Sequence, residues 1–234
     1  MAFGPIIRFT AGDLALELAP IPKAAVHEFV NHEHGGGLQR QSISRYLGLM
    51  TAPTEEDENE WHDKVRADVH SVIWGIWVIE GEGEAKTRTL IGNSSLGGID
   101  KGNSTRLIRQ ATSGSVIFRP EYWNRGIASA AHKVRTWYAF QHLGLHRIRS
   151  AVIQANGGSR RALERSGYTY VYTERNEQYG DGQFHHLDNF ECLNPDTLFW
   201  NQWWHGDRPA RASNEARRLT REALAWAEEN ATLA

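Results

Sequence analysis

Residues 126–142 place Ile127, Ala130, Ala131, Val134, Trp137, Tyr138 and Gln141 at three- and four-residue spacing. A helix there has one face that is almost wholly apolar, and such a face has to be covered by another layer of structure. Gly144 stops the helix, and a short strand, Gly114 to Arg119 (GSVIFR), leads into it through Pro120 and the turn Tyr122-Trp123-Asn124-Arg125-Gly126-Ile127-Ala128. A strand feeding a small-residue turn at a helix start leaves backbone N–H groups unpaired and facing outward. With the helix dipole they form an anion site suited to a diphosphate. Gly126 removes a side chain where phosphate oxygens would approach, Ala128 keeps the next inward position small, and Arg125 adds positive charge. The competing reading is an ordinary strand-to-helix turn that uses glycine for its geometry.

The rest of the chain supplies the other layer. Leu14 to Leu18 alternates as a strand, Lys23 to Val30 reads as a short helix after Pro20 and Pro22, and Asn31 to Gly37 reads as a mobile loop. Thr54 is an N-cap candidate for an acidic-start helix to about Ala67, with Trp61 and Val65 among its buried positions. Val69 to Glu80 and Thr89 to Ile99 read as an antiparallel strand pair. Arg147 to Ile153 is a strand, Ser159 to Ser166 a short helix closed by Gly167, and Tyr168 to Glu174 with His186 to Leu193 a last strand pair. After Pro195 the composition shifts to a Trp cluster (Trp200, Trp203, Trp204) and an Arg-, Ala- and Glu-rich helix over 211–229. This order predicts a mixed α/β (α+β) layer domain over 1–195, with a C-terminal helical extension over 196–234 packed on it.

Composition excludes several classes. Nine Trp, eight Phe and seven Tyr in 234 residues supply too much apolar area for a disordered chain. With 26 basic against 28 acidic side chains, a dedicated nucleic-acid binder is not expected. Interleaved Asp207, Glu215 and Glu222 make the arginines of the tail a salt-bridged surface rather than an RNA contact. The single cysteine, Cys192, rules out a disulfide framework and reads as core filler. No apolar run is long enough for a bilayer span, and the N-terminus has no signal pattern, so a cytoplasmic location with no membrane partner is expected. His32-Glu33-His34 has ligand-type residues without a third and fourth at a recognised spacing, so no metal is expected. The Trp cluster is expected to pack the tail onto the core, with a cover for a cleft or a homodimer seam as the alternatives.

A second segment narrows the function. Asn156-Gly157-Gly158-Ser159 opens a helix directly after the Arg147 to Ile153 strand, and Leu163-Glu164-Arg165-Ser166-Gly167-Tyr168 closes it. Together with Tyr122, Trp123, Gly126 and Ala128, and with Leu143-Gly144-Leu145-His146-Arg147-Ile148 between, this pairing resembles the RimJ/RimL-like branch of the GNAT acetyltransferase superfamily. The resemblance is firmest from about Gly114 to Leu193, looser from Leu14 to Ile99, and absent after Pro195. It implies the GNAT fold, a central twisted mixed sheet flanked by helices and splayed open for acetyl-CoA as co-substrate. It implies transfer of an acetyl group to a primary amine, with cofactor contacts at Val116, Phe118, Trp123, Asn124, Arg125, Gly126, Ile127, Ala128, Asn156, Ser159 and Arg161. The acceptor is either a small amine, slightly favoured by the unmatched tail and the histidine-rich last strand, or the α-amine of a protein or peptide N-terminus. A coenzyme-binding sensor whose catalytic centre has decayed is a third reading.

An alkylammonium with a pKa near 10 lies about three units, or about 4 kcal/mol, from its nucleophilic form at pH 7. The resemblance places Ser159 as proton donor to the coenzyme sulfur and Asn156 on the pantetheine arm; Asn156 also suits helix N-capping. Backbone N–H groups over Ser115 to Phe118 are the expected oxyanion donors. For the base, Glu174, Glu177, His185, His186 and Asp188 compete, with Glu177 and His186 preferred and a water chain as the alternative.

Overall fold

The alternating and β-branched runs form one sheet, whose strand order decides where a cleft can open. The computed structural model describes residues 3–30, 37–49, 51–81, 83–99, 108–180, 182–196 and 211–234. Its strands are β1 (Ile7–Ala11), β2 (Leu14–Ala19), β3 (Val72–Glu80), β4 (Thr87–Gly97), β5 (Gln110–Ile117), β6 (Arg147–Ile153), β7 (Thr169–Gly180), β8 (Gln183–Leu193) and β9 (Thr232–Leu233). They are ordered β7-β8-β6-β5-β4-β3-β2-β1-β9. Neighbours are antiparallel except β5 and β6, which run parallel. β1 was not expected from the sequence. Its Ile7, Phe9 and Ala11 alternate inward, and Gly12, at φ +61°, turns the chain straight into β2.

Helices cover both faces. On one side lie α1 (Gln41–Ser44) and α2 (Glu55–Ala67), over a core that includes Phe29, Val65, Trp77 and Phe118. Thr54 caps α2 as expected, through a reciprocal capping box with Asp57. Glu58, His62 and Val65 are its buried positions, while Trp61 is only half-buried. The segment read as a helix over Lys23 to Val30 is a 3-10 helix, Lys23–Phe29. On the other side lie α3 (Ile127–Trp137), α4 (Gly157–Glu164) and α5 (Arg211–Asn230), over a core that includes Trp74, Ile76, Ile91, Val134, Phe190 and Leu224. The helix expected over 126–142 is α-helical only to Trp137. A wider π turn over Tyr138–His142 follows, and it keeps Ala139 and Phe140 buried.

The C-terminal segment is laid onto this core. α5 buries Ala216, Thr220, Ala223, Leu224 and Ala227. Gly167 (φ +85°) lets it approach closely, since a Cβ there would lie 2.1 Å from Thr220 Oγ1. β9 then pairs with β1 at the sheet edge. The Trp200, Trp203 and Trp204 cluster and the His32-Glu33-His34 segment lie outside the described residues. Among the described helices none is long and apolar enough to cross a membrane.

Candidate active site

β5 and β6 pair only at Gln110–Arg147, Ala111–Ile148 and Thr112–Arg149, and then part. β5 stays paired with β4 as far as Ile117, and β6 with β8 as far as Ile153. Between the diverging edges opens a cleft of about 650 Å³. The turn of residues 122–128 and the helix start at Asn156, Gly158 and Ser159 both line it. They lie side by side because each follows one arm of the fork: β5 leads into α3, and β6 into α4.

Strand alternation decides which amides point into the fork. The Phe118 N–H donates to the Ile91 carbonyl at 3.0 Å, so Val116 and Gly114 also turn their polar backbone groups towards β4. Ser115 and Ile117 therefore face the cleft. In agreement, the Ile117 carbonyl accepts from Trp123 Nε1 at 2.8 Å, which holds the indole against the mouth. The expectation of donors throughout Ser115 to Phe118 is thus narrowed to Ser115 and Ile117. Phe118 does not line the cleft at all; its ring is fully buried, with its centroid 4.9 Å from that of Phe29. Val116 does line the cleft.

At the start of α3, Asn124 (φ +59°) and Gly126 (φ +79°) both sit in the left-handed region. The N–H groups of Ile127, Ala128 and Ser129 precede the first helical bond, Ala130 N–H to the Gly126 carbonyl at 3.0 Å. A Cβ on Gly126 would meet nothing within 4 Å. These features suit an anion such as a diphosphate. Arg125, in contrast, is not among the lining residues; its guanidinium lies 3.7 Å from Asp13.

At α4, Asn156 Oδ1 accepts from the Ser159 N–H at 3.1 Å, so Asn156 caps the helix while lining the cleft. Ser159 and Arg161 also face it, whereas Arg160 pairs with Glu164 and Asp188. Ile43 of α1, Tyr46 and Leu47 just after it, and Gln178 and Leu187 of the β7–β8 pair also line the cleft.

The preferred base residues are not brought there. Glu177 is exposed on β7, where the register slips between Glu174 and Gln178. His186 alternates with the cleft-lining Leu187, and its Nδ1 accepts from the Asn176 N–H at 3.1 Å. Among the described residues no carboxylate lines the cleft, and no cluster of His, Cys, Asp or Glu could hold a metal. Cys192 is fully buried, which pushes its thiol up to about 12 and leaves it inert. Two lining or adjoining groups were missed from the sequence, His132 and the buried Arg135 beside it. The signal was present: Arg135 falls one turn from Ala131, inside the apolar stripe of α3.

Comparison with known proteins agrees with this fold. The model of the acetyltransferase (GNAT) domain family matches residues 17–169. Mycobacterium smegmatis RimJ in complex with CoA-disulfide superposes with a TM-score of 0.64 at 17% identity, covering 99% of this chain and 96% of that one. The Vibrio cholerae spermidine N-acetyltransferase, in complex with CoA and spermine, gives 0.62 at 18% identity, covering 78% and 96%. A GNAT-family acetyltransferase from Bacillus anthracis gives 0.58 at 20%, covering 80% and 98%. At these identities the solved structures speak for the fold alone. No curated protein sequence matches the chain.

Proposed function

The chain belongs to the acetyltransferase (GNAT) domain family, acyltransferases that use acetyl-CoA as donor, and we propose that it acetylates the primary amine of a small molecule. The observation that carries the small acceptor is a close approach between two elements that line the cleft. There Gln178 of β7 reaches across to the turn after α1: a Cβ on Gly48 would lie 2.8 Å from Gln178 Nε2. A cleft narrowed there, with Ile43, Tyr46 and Leu47 among its lining residues, suits a compact amine better than an extended peptide.

In this reading the amides of Ile127 to Ser129 hold the diphosphate and Asn156 meets the pantetheine arm, so the thioester lies along the open edge of β5. The amine lone pair forms a bond to the thioester carbon, and the carbonyl π pair moves to oxygen. That oxyanion is met by the cleft-facing N–H of Ser115. As the oxygen pair returns, the C–S bond breaks, and the sulfur leaves as thiolate and takes a proton from the Ser159 hydroxyl, which regains one from water. The ammonium proton passes to water. With no carboxylate among the described lining residues, and with Arg161 and Arg165 present, the cleft itself favours the neutral amine.

The test is thiol release from acetyl-CoA against a panel of small amines, polyamines and N-terminal peptides. Higher kcat/KM for compact amines than for any peptide is expected. Preference for a peptide would overturn the acceptor class, and a coenzyme that binds without turnover on any amine would overturn the enzymatic reading of this cleft.

A further inference from the structure

α3 carries a charge where its packing would exclude one. Arg135 is fully buried, and among the described residues no carboxylate forms an ion pair with it. Its Nη1 donates to the Ser94 hydroxyl at 3.1 Å and to the Gly114 carbonyl at 3.0 Å. Its Nη2 donates to His132 Nδ1 at 2.6 Å and to the Tyr168 hydroxyl at 3.4 Å. Nε–H has no partner among the described residues. A guanidinium does not give up its proton in a protein, so a whole positive charge sits beneath the point where β5 and β6 separate. Burying that charge against neutral acceptors is costly, and packing alone would be served as well by Leu or Met.

The charge acts on the cleft along two short paths. The Gly114 carbonyl and the Ser115 N–H belong to the same peptide unit. Arg135 holds the oxygen on the β4 side, while the N–H points into the fork. A cation on the carbonyl oxygen draws density from the amide nitrogen and makes its N–H a stronger donor. On the second path, guanidinium can only donate, so His132 Nδ1 must accept and the imidazole proton resides on Nε2. Burial, and then the charge of Arg135, hold His132 well below its usual pKa. It is therefore a neutral donor in the cleft wall.

The geometry points to Arg135 as a positioning residue for acyl transfer, which acts through the Gly114–Ser115 peptide to strengthen the amide that receives the thioester oxyanion. This rests on the function proposed above, because it needs a thioester seated against Ser115.

The test reads the thioester directly and needs no acceptor. Acetyl-CoA labelled with ¹³C at the thioester carbonyl is bound to the full chain, and the carbonyl stretch is followed by isotope-edited infrared spectroscopy. In the parent protein the band should move to lower frequency than in water. In Arg135→Met that displacement should shrink by at least half, with acetyl-CoA affinity within about threefold of the parent. Arg135→Lys should retain most of it. In parallel, kcat with the best amine should fall about tenfold in Arg135→Met at unchanged KM for acetyl-CoA, since weakening an oxyanion donor costs less than removing one. If the Met variant does not fold, Arg135→Gln, which keeps a donor but not the charge, takes its place with the same expectation.

A neutral variant that keeps the parent's full displacement would overturn the proposal, whatever its kcat. So would equal losses in the Lys and neutral variants that track a lower Tm, the mark of a packing role. If acetyl-CoA does not bind the parent chain, the proposed function itself fails. Binding to the parent, with the full displacement retained in the neutral variant, overturns only the role of Arg135.

Discussion

Gly126 combines two demands that a side chain cannot meet together. Its φ of +79° places it in the left-handed region, where an L-residue costs about 1–2 kcal/mol. Its missing Cβ also faces open space at the head of α3, where the diphosphate is proposed to sit. Gly126→Val is therefore expected to fold with a slightly lower Tm and to lose coenzyme binding. Acetyl-CoA at about 100 times its dissociation constant stabilises a protein by about 2.7 kcal/mol, several degrees in Tm for a chain of this size. That rise should be present in the parent and absent in the variant, and its persistence would remove the turn from the binding site. Ser159→Ala is expected to lower kcat by less than about tenfold, because a thiol pKa near 8.5 lets the thiolate leave largely unaided. Unchanged turnover where chemistry limits the rate would remove Ser159 from the mechanism. The cleft-lining residues of the two turns, Arg125 excepted, were legible because small side chains and helix caps are local signals. The supposed bases Glu177 and His186 were not: which face of β7 or β8 a residue occupies depends on a register slip that local sequence does not display.

The elements were legible where a period was clean. α2 was readable from Thr54 and the acidic run behind it, and the capping box is there. β1 was passed over because it is short and carries Arg8 and Thr10 outward, and the π turn after Trp137 leaves the apolar spacing nearly unchanged. α2 also gives a pH-dependent expectation. Glu58 lies buried in its first turn, and burial, followed by the charge of Asp57, pushes its carboxyl up to about 7 from an ordinary 4.5. Between those values the folded chain holds a proton that the unfolded chain has released, so this group's contribution is full below about pH 4.5. It declines as pH rises towards 7 and stays low above. Glu58→Gln should accordingly raise stability at pH 8 by about 2 kcal/mol, seen as a higher Tm, with the difference gone at pH 4. The neighbouring Asp57 is held low by its bonds to Thr54 and loses its capping role in acid, but it does so equally in both proteins. A pH-independent difference between them would mean that Glu58 is not titrating in the folded state.

At the scale of the whole molecule, the question is whether residues 1–195 stand without the C-terminal segment. The family model ends at residue 169, and the composition breaks after Pro195, both of which invite a cut. The packing argues otherwise. Leu224 and Ala227 belong to the same core cluster as Val134 and Trp137 of α3 and Phe190 and Cys192 of β8. Around that seam Gln141 bonds Glu228 at 2.9 Å, and Lys133 lies 4.8 Å from the ring of Trp226. Removing α5 uncovers its own apolar stripe and the opposing surface of α3. At about 25 cal/mol per Å² of apolar area, a seam of this kind accounts for about 5 kcal/mol or more, within the range of an entire domain's stability. A chain ending at Pro195 is thus expected to lose at least 10 °C in Tm or its cooperative transition altogether, and coenzyme binding with it, since α3 carries both the turn at Gly126 and the buried Arg135. Deleting only residues 231–234 removes the short pairing of β9 with β1 and should cost less than about 1 kcal/mol, because edge pairing of two residues buries little. Thermal melts of the two truncations separate the cases. If the chain ending at Pro195 melts within a few degrees of the parent and still binds acetyl-CoA, α5 is an appendage. A collapse confined to that truncation makes α5 a structural part of the acetyltransferase fold in this chain.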